Sequence, residues 1–186
     1  MRESGSSSLS LAGSLLVAHP GLLDPNFRRS VIFLSSHDPQ DGSFGLVLNR
    51  PAGRTVSDLL PEKELGNLAH VPVFLGGPVS TDQLIFATFR WRGKDQAIEC
   101  RHHLVIEDAQ EAAKDDWTTI RAFVGYAGWG KGQLESELAQ QAWLMQKPEP
   151  GMLDLEKCPT LWREITSEFG PWFKLVAEAP EDPSLN

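Results

Sequence analysis

The run Gly125-Tyr-Ala-Gly-Trp-Gly130-Lys131-Gly132 has the GxxxxGK spacing of a phosphate loop, placed between a strand-like and a helix-like segment. A nucleotide-hydrolysing loop carries Ser or Thr after the lysine to ligate magnesium, and here Gly132 has no side chain. Trp129 is also bulky for a backbone wrapped round phosphate. Two readings remain. The N–H groups of Gly130, Lys131 and Gly132 cradle an anion at a helix start, or the glycines make a tight strand-to-helix turn packed beneath Trp129.

Five histidines invite metal or acid/base chemistry. His102 and His103 are adjacent, so on a regular strand they face opposite sides and cannot share a metal. His19, His37 and His70 are far apart in the chain and match no HExxH or His-x-His spacing. No metal or other cofactor is expected. The nucleophile signature G-x-S-x-G is missing, and neither Cys100 nor Cys158 sits in a glycine-rich turn beside a base. Ser30 follows Arg28-Arg29, a hydroxyl near positive charge that equally well just opens a strand. Glu135 and Glu137 are two apart on a predicted helix and diverge. What remains is a set of polar residues among glycines and prolines: His19-Pro20, Asp24 to Arg28, Asn49-Arg50-Pro51, Gly76-Gly77-Pro78, and Gln133 with Glu137. Such loops can build a pocket, and they can equally be turns whose polar side chains cap backbone.

The elements that must position these residues belong to a chain of 186 residues, 41% hydrophobic, with a net charge of −8. That predicts one globular domain over residues 9–179, between a disordered lead at 1–8 and a flexible tail at 180–186. The acidity argues against binding nucleic acid through its phosphates. Two dissimilar cysteines form no disulfide framework and predict reduced thiols, hence a cytoplasmic protein. The apolar decade Leu9 to Ala18 loosely mimics a secretory signal, but Glu3 weakens its positive flank and no A-x-A site follows. No stretch approaches the roughly 20 apolar residues of a membrane span.

Strands are predicted at 14–18, 30–35, 44–49, 71–75, 84–91, 98–106 and 121–127, from short Val/Ile/Leu/Phe runs bounded by Gly, Pro, Asp and Asn. Asp38 to Gly42 predicts a hairpin turn. Helices are predicted over 55–60 with Thr55 as cap and Pro61 as stop, over 107–117, over 133–146 with Leu134, Leu138, Ala142 and Met145 on one face, and over 161–169, stopped by Gly170-Pro171. Strands mostly precede helices, which implies an α+β fold with a mixed or antiparallel sheet.

Four separated blocks together carry a resemblance: Gly13 to Val31, Phe44 to Pro51, Gly76 to Val79, and Gly125 to Glu137. In order and content they closely resemble the YqgE/AlgH family of bacterial proteins, over about residues 10 to 178. The resemblance implies a strongly bent sheet partly closing into a small β-barrel, flanked by helices. One branch of that family carries the name of a transcriptional regulator of alginate synthesis, and no catalytic mechanism comes with the resemblance. The leading expectation is a noncatalytic protein that binds a small molecule or a protein partner, with an indirect regulatory role. Its site would draw on Asn49, Arg50, Gly76, Gly77, Trp129, Gly130, Gln133 and Glu137, with Arg50 as anchor. The competing expectation is a hydrolase or transferase acting on a phosphorylated or acidic metabolite, with His19 or His37 as acid/base and Arg50 as clamp. A third is a purely structural protein that self-associates through a tryptophan-lined apolar patch. The oligomeric state is left open.

Overall fold

Alternating and fully apolar runs pair into one nine-stranded sheet in the computed structural model, which describes residues 10–180. The predicted lead and all but the first residue of the predicted tail lie outside the described residues. Leu15–Ala18 (β1) and Val31–Asp38 (β2) carry runs of four buried apolar residues, and Gly42–Val47 (β3) follows β2 across the expected hairpin, where Asp38 pairs with Gly42. Asp38 Oδ1 accepts from the N–H of Gln40, which fixes that turn. The decade that resembles a signal sequence therefore supplies β1, buried between two neighbouring strands.

Pro51–Thr55 (β4), Pro72–Leu75 (β5), Val79–Arg92 (β6) and Ala97–Leu104 (β7) complete the first half. Thr118–Trp129 (β8) is the strand on which the sheet is assembled. It runs parallel to β5, antiparallel to β6, and its last residues pair antiparallel with β3. The strand order is β4-β5-β8-β3-β2-β1-β9, with β7 joined through β6. This mixed sheet curls into a half-barrel with five helices around it, and the α+β expectation holds. One apolar cluster centres on β1, β2, β3 and the C-terminal helices; a smaller one gathers Val56, Leu68, Val73 and Phe86.

Val56–Leu59 (α1) starts as expected: Thr55 and Asp58 form a capping box, and the Asp58 carboxylate accepts from the Thr55 N–H at 2.7 Å. That bond draws its pKa below the ordinary carboxylate value. Ile106–Ala112 (α2) is shorter than predicted. The larger correction concerns residues 133–146. Only Gln133–Ala139 (α3) is helical; Gln141 takes a left-handed φ of 58°, and Trp143–Gln146 (β9) pairs with β1. The helical spacing of Ala142 and Met145 is outweighed by the unpaired backbone groups that β1 would otherwise bury. Leu161–Ser167 (α4) does stop before Gly170, at φ 131°, but Pro171 then opens a further helix, Pro171–Glu178 (α5), at a position where its missing N–H is not needed.

A second correction falls at His102-His103. The β6–β7 register slips between Phe86 and Ala87, and His103 adopts a left-handed φ of 57°. Both rings then turn to one side, with their Nδ1 atoms 2.6 Å apart, rather than to opposite faces. Burial, and then the neighbouring His103, lower the pKa of His102.

Candidate functional site

Asn49 and Arg50 sit where β3 ends, facing the turn before β2. Asn49 Nδ2 donates to the Arg29 carbonyl and its Oδ1 accepts from Val31 N–H, both at 2.9 Å. This clip holds Arg29 in a left-handed conformation at φ 55°, which a residue with a side chain adopts only when its surroundings enforce it. The Arg50 guanidinium donates to the carbonyls of Asn26 and Arg28, spanning the same turn. Asp24 folds that turn from inside by accepting the N–H of Asn26 at 2.8 Å. Side chains that look like ligand anchors in the sequence thus first shape a loop.

That loop presents arginines to a cleft. A cavity of about 600 Å³ is lined by Arg28, Arg29, Asn49 and Arg50 on one side and by Cys158, Trp162 and Arg163 on the other, with Ala177 to Pro180 at its rim. Arg29 lies 5.0 Å over the Trp162 ring and donates to the Ala179 carbonyl at 2.7 Å. Trp162 is fixed in turn by its indole N–H on the Ala18 carbonyl. Beneath the cleft Arg121, 2% exposed, donates to the carbonyls of Leu48 and Leu153 and stacks on Phe74 at 4.2 Å. Burial lowers its pKa from the ordinary arginine value, yet a guanidinium stays charged. Burial likewise raises that of the Cys158 thiol, against the opposing pull of Arg121, so at neutral pH it is a thiol and not a nucleophilic thiolate.

Four of the other predicted residues form a closed unit behind this loop. Glu137 accepts the indole N–H groups of Trp129 and Trp143, each at 2.8 Å, and the Gln133 amide at 2.9 Å. Gln133 Oε1 takes the Gly130 N–H at 3.0 Å. One of the three amides that would face an anion, that of Gly130, is engaged by a side chain, α3 has only seven residues, and Gly125 to Trp129 belong to β8, so the glycine run forms the end of a strand and the turn into a short helix. Phe27 packs on both indoles, at 6.4 Å from Trp129 and 5.5 Å from Trp143. The tryptophan unit therefore braces the arginine loop from the rear. Trp129 and Trp143 lie in the core at 5% and 4% exposure.

Gly76 and Gly77 serve close packing. A Cβ on Gly77 would lie 2.2 Å from the Tyr126 carbonyl carbon, and one on Gly76 2.3 Å from the Gly125 carbonyl oxygen. Gly77 also lines, with Arg50 and Asn26, a smaller cavity of about 210 Å³.

The histidines proposed as acid/base partners of Arg50 lie elsewhere. His19 accepts the Gly21 N–H and stacks on Trp172 at 5.9 Å. His37 lines a different cavity, with Ser43, Phe44, Tyr126 and Trp129. Neither histidine lines the cleft with Arg50. Among the described residues no three metal-ligating side chains converge. Sequence reasoning left Arg29 and Arg163 out of the site and had Arg28 only within a loop that could build a pocket. The Arg28-Arg29 pair was a visible signal, but its partner Arg163 lies on α4, more than a hundred residues later, and nothing local joins them.

The AlgH-like family model matches residues 15–174. A UPF0301 protein of Streptomyces avermitilis is 41% identical, over 95% of this chain and 96% of its own length. One from Mycobacterium leprae is 35% identical, over 94% and 90%. The solution structure of the AlgH protein from Pseudomonas aeruginosa superposes with a TM-score of 0.64 at 28% identity, over 98% of this chain and 100% of that one. A Corynebacterium diphtheriae crystal structure gives 0.65 at 21% identity, over 90% and 92%, a likeness of fold. With sequence matches spanning nearly the whole chain and the half-barrel shared with a relative of known structure, the chain belongs to the AlgH-like family.

Proposed function

We propose that this protein binds a small anionic metabolite, bearing phosphate or carboxylate groups, in the arginine cleft. The observation that carries the proposal is the convergence of Arg28, Arg29, Arg50 and Arg163 on one cavity of about 600 Å³, a size that suits a small molecule. Guanidinium groups match such anions bidentately, and the buried wall of Trp162 and Cys158 offers an apolar surface beside them. The reading is one of binding: among the described residues the lining carries no histidine and no hydroxyl side chain, and burial raises the pKa of its thiol. Any regulatory role is indirect, through ligand occupancy read by a protein partner in the cytoplasm. The overall charge of −8 supports this over contact with DNA.

Isothermal titration with pyrophosphate, citrate and a sugar phosphate tests the reading. At least one binds saturably at a single site, and Arg163→Ala, which leaves the arginine loop untouched, weakens that binding about tenfold or more, as loss of a charge-assisted hydrogen bond implies. A folded protein with no heat for any of these anions overturns it.

A further inference from the structure

His37 stands in the β2–β3 hairpin directly across from Ser43, and the two side chains meet with His37 Nδ1 2.8 Å from Ser43 Oγ. The far side of the ring faces α3, where Glu135 Oε1 lies 3.4 Å from Nε2. That carboxylate oxygen is withdrawn from solvent and makes no hydrogen bond, and the imidazole stands within ion-pair distance of it. A carboxylate only accepts, so a bond from the ring to Glu135 requires the proton on Nε2; in that neutral tautomer the lone pair is on Nδ1 and the Ser43 hydroxyl is the donor to it. The His37 side chain is 3% exposed, which holds the ring in this orientation. Hydroxyl, imidazole and carboxylate stand in one line, the order in which an activated serine is built on unrelated folds.

The line ends in a cavity. His37 and Ser43 border a hollow of about 640 Å³ walled by Phe44, Val79, Tyr126 and Trp129, with Asp38 and Asp41 also lining it. It is separate from the arginine cleft and opposite to it in character: aromatic and aliphatic walls accept an apolar acyl group, and the two aspartates repel an anionic one.

We propose that Ser43, His37 and Glu135 form an acyl-transfer centre that hydrolyses esters of uncharged, apolar acids. Ser43 Oγ forms a bond to the ester carbonyl carbon as its proton passes to His37 Nδ1. The carbon–oxygen bond to the alcohol breaks, and that proton leaves with the alcohol. Water then attacks the acyl-serine, gives its proton to Nδ1, and the acid departs as Ser43 recovers its proton. Ester and water become acid and alcohol, and no other reactant is needed. Ser43 and His37 are the catalytic residues; Glu135 is a positioning residue that holds the tautomer. The apo distance of 3.4 Å tightens as imidazolium charge develops.

The test uses the full chain and p-nitrophenyl butyrate, with peptide mass spectrometry to locate the acyl group. A burst of p-nitrophenolate is expected, with the butyryl group on Ser43, and the hemisuccinate ester reacts more slowly. Ser43→Ala abolishes the burst. His37→Gln slows acylation about a hundredfold or more, the scale of lost general-base catalysis. Glu135→Gln slows it too, and Glu135→Asp restores part of the rate, which a merely structural carboxylate would not explain. Each variant is checked by its thermal unfolding transition. Butyryl groups on other residues only, acylation of Ser43 just as fast in a folded His37→Gln protein, or no acylation of the folded wild type overturns the proposal. Anion titration of the cleft is unaffected by any of these outcomes.

Discussion

Two indole N–H groups and an amide converge on the Glu137 carboxylate, and through Phe27 that single side chain supports the loop carrying Arg28 and Arg29. Removing it strands two indole donors at the edge of the core, where each unmet donor costs about 1–3 kcal/mol. Glu137→Ala is therefore expected to lower the unfolding free energy by about 2–4 kcal/mol in urea titration, with a red shift of the tryptophan emission and weaker anion binding. A mutant with unchanged stability would mean that water replaces the carboxylate. Part of this unit was legible in the sequence: Gln133 and Glu137 stand four apart on a helix and so share a face. Their indole partners were not, because Trp129 reaches Glu137 from the end of β8 and Trp143 from the start of β9. The His37–Ser43 pair shows the same limit from another side. The turn residues between them announced the hairpin, but only its register makes these two positions cross-strand neighbours.

At the scale of elements, Gly77 is where the chain entering β6 crosses β8 at backbone distance. With φ at 151° and a Cβ that would fall 2.2 Å from Tyr126, neither the conformation nor the space admits a side chain. Gly77→Ala is expected to destabilise by about 2–4 kcal/mol, read as a fall in the unfolding midpoint, because backbone and not a flexible side chain must move. No loss would show that β6 enters the sheet another way. The strands with alternating or fully apolar runs were legible because burial itself writes that pattern. β4 was not, since Pro51-Ala-Gly-Arg-Thr contains few strand-forming residues and pairs with β5 only at Pro51 and Thr55. Residues 133–146 misled for a related reason: a helical period of apolar residues is also what a short helix, a turn and a buried strand produce when all face one core.

For the molecule as a whole, neither cysteine acts as a staple. Cys158 lies under the arginine cleft, and burial pushes the Cys100 thiol up to about 11. Iodoacetamide at pH 8.5 is therefore expected to leave both thiols largely unmodified in the native protein and to label both in urea, since little thiolate exists in the fold. Rapid native labelling of Cys100 would place its strand outside the sheet. Among the described residues no helix is long and apolar enough to cross a membrane.

β8 joins three strands that precede it, while β9, the last strand, closes against β1, the first. A ribosome delivers the chain from its N-terminus at roughly 5–20 residues per second, so β1 and the hairpin of β2 and β3 emerge on the order of ten seconds before β8, the remaining partner of β3. During that interval the apolar faces of β1 and β2 have no layer to cover them. Only β8 brings β3, β5 and β6 into one sheet, so a nascent chain that ends before residue 118 is expected to leave the edges of those three strands unpaired on that side.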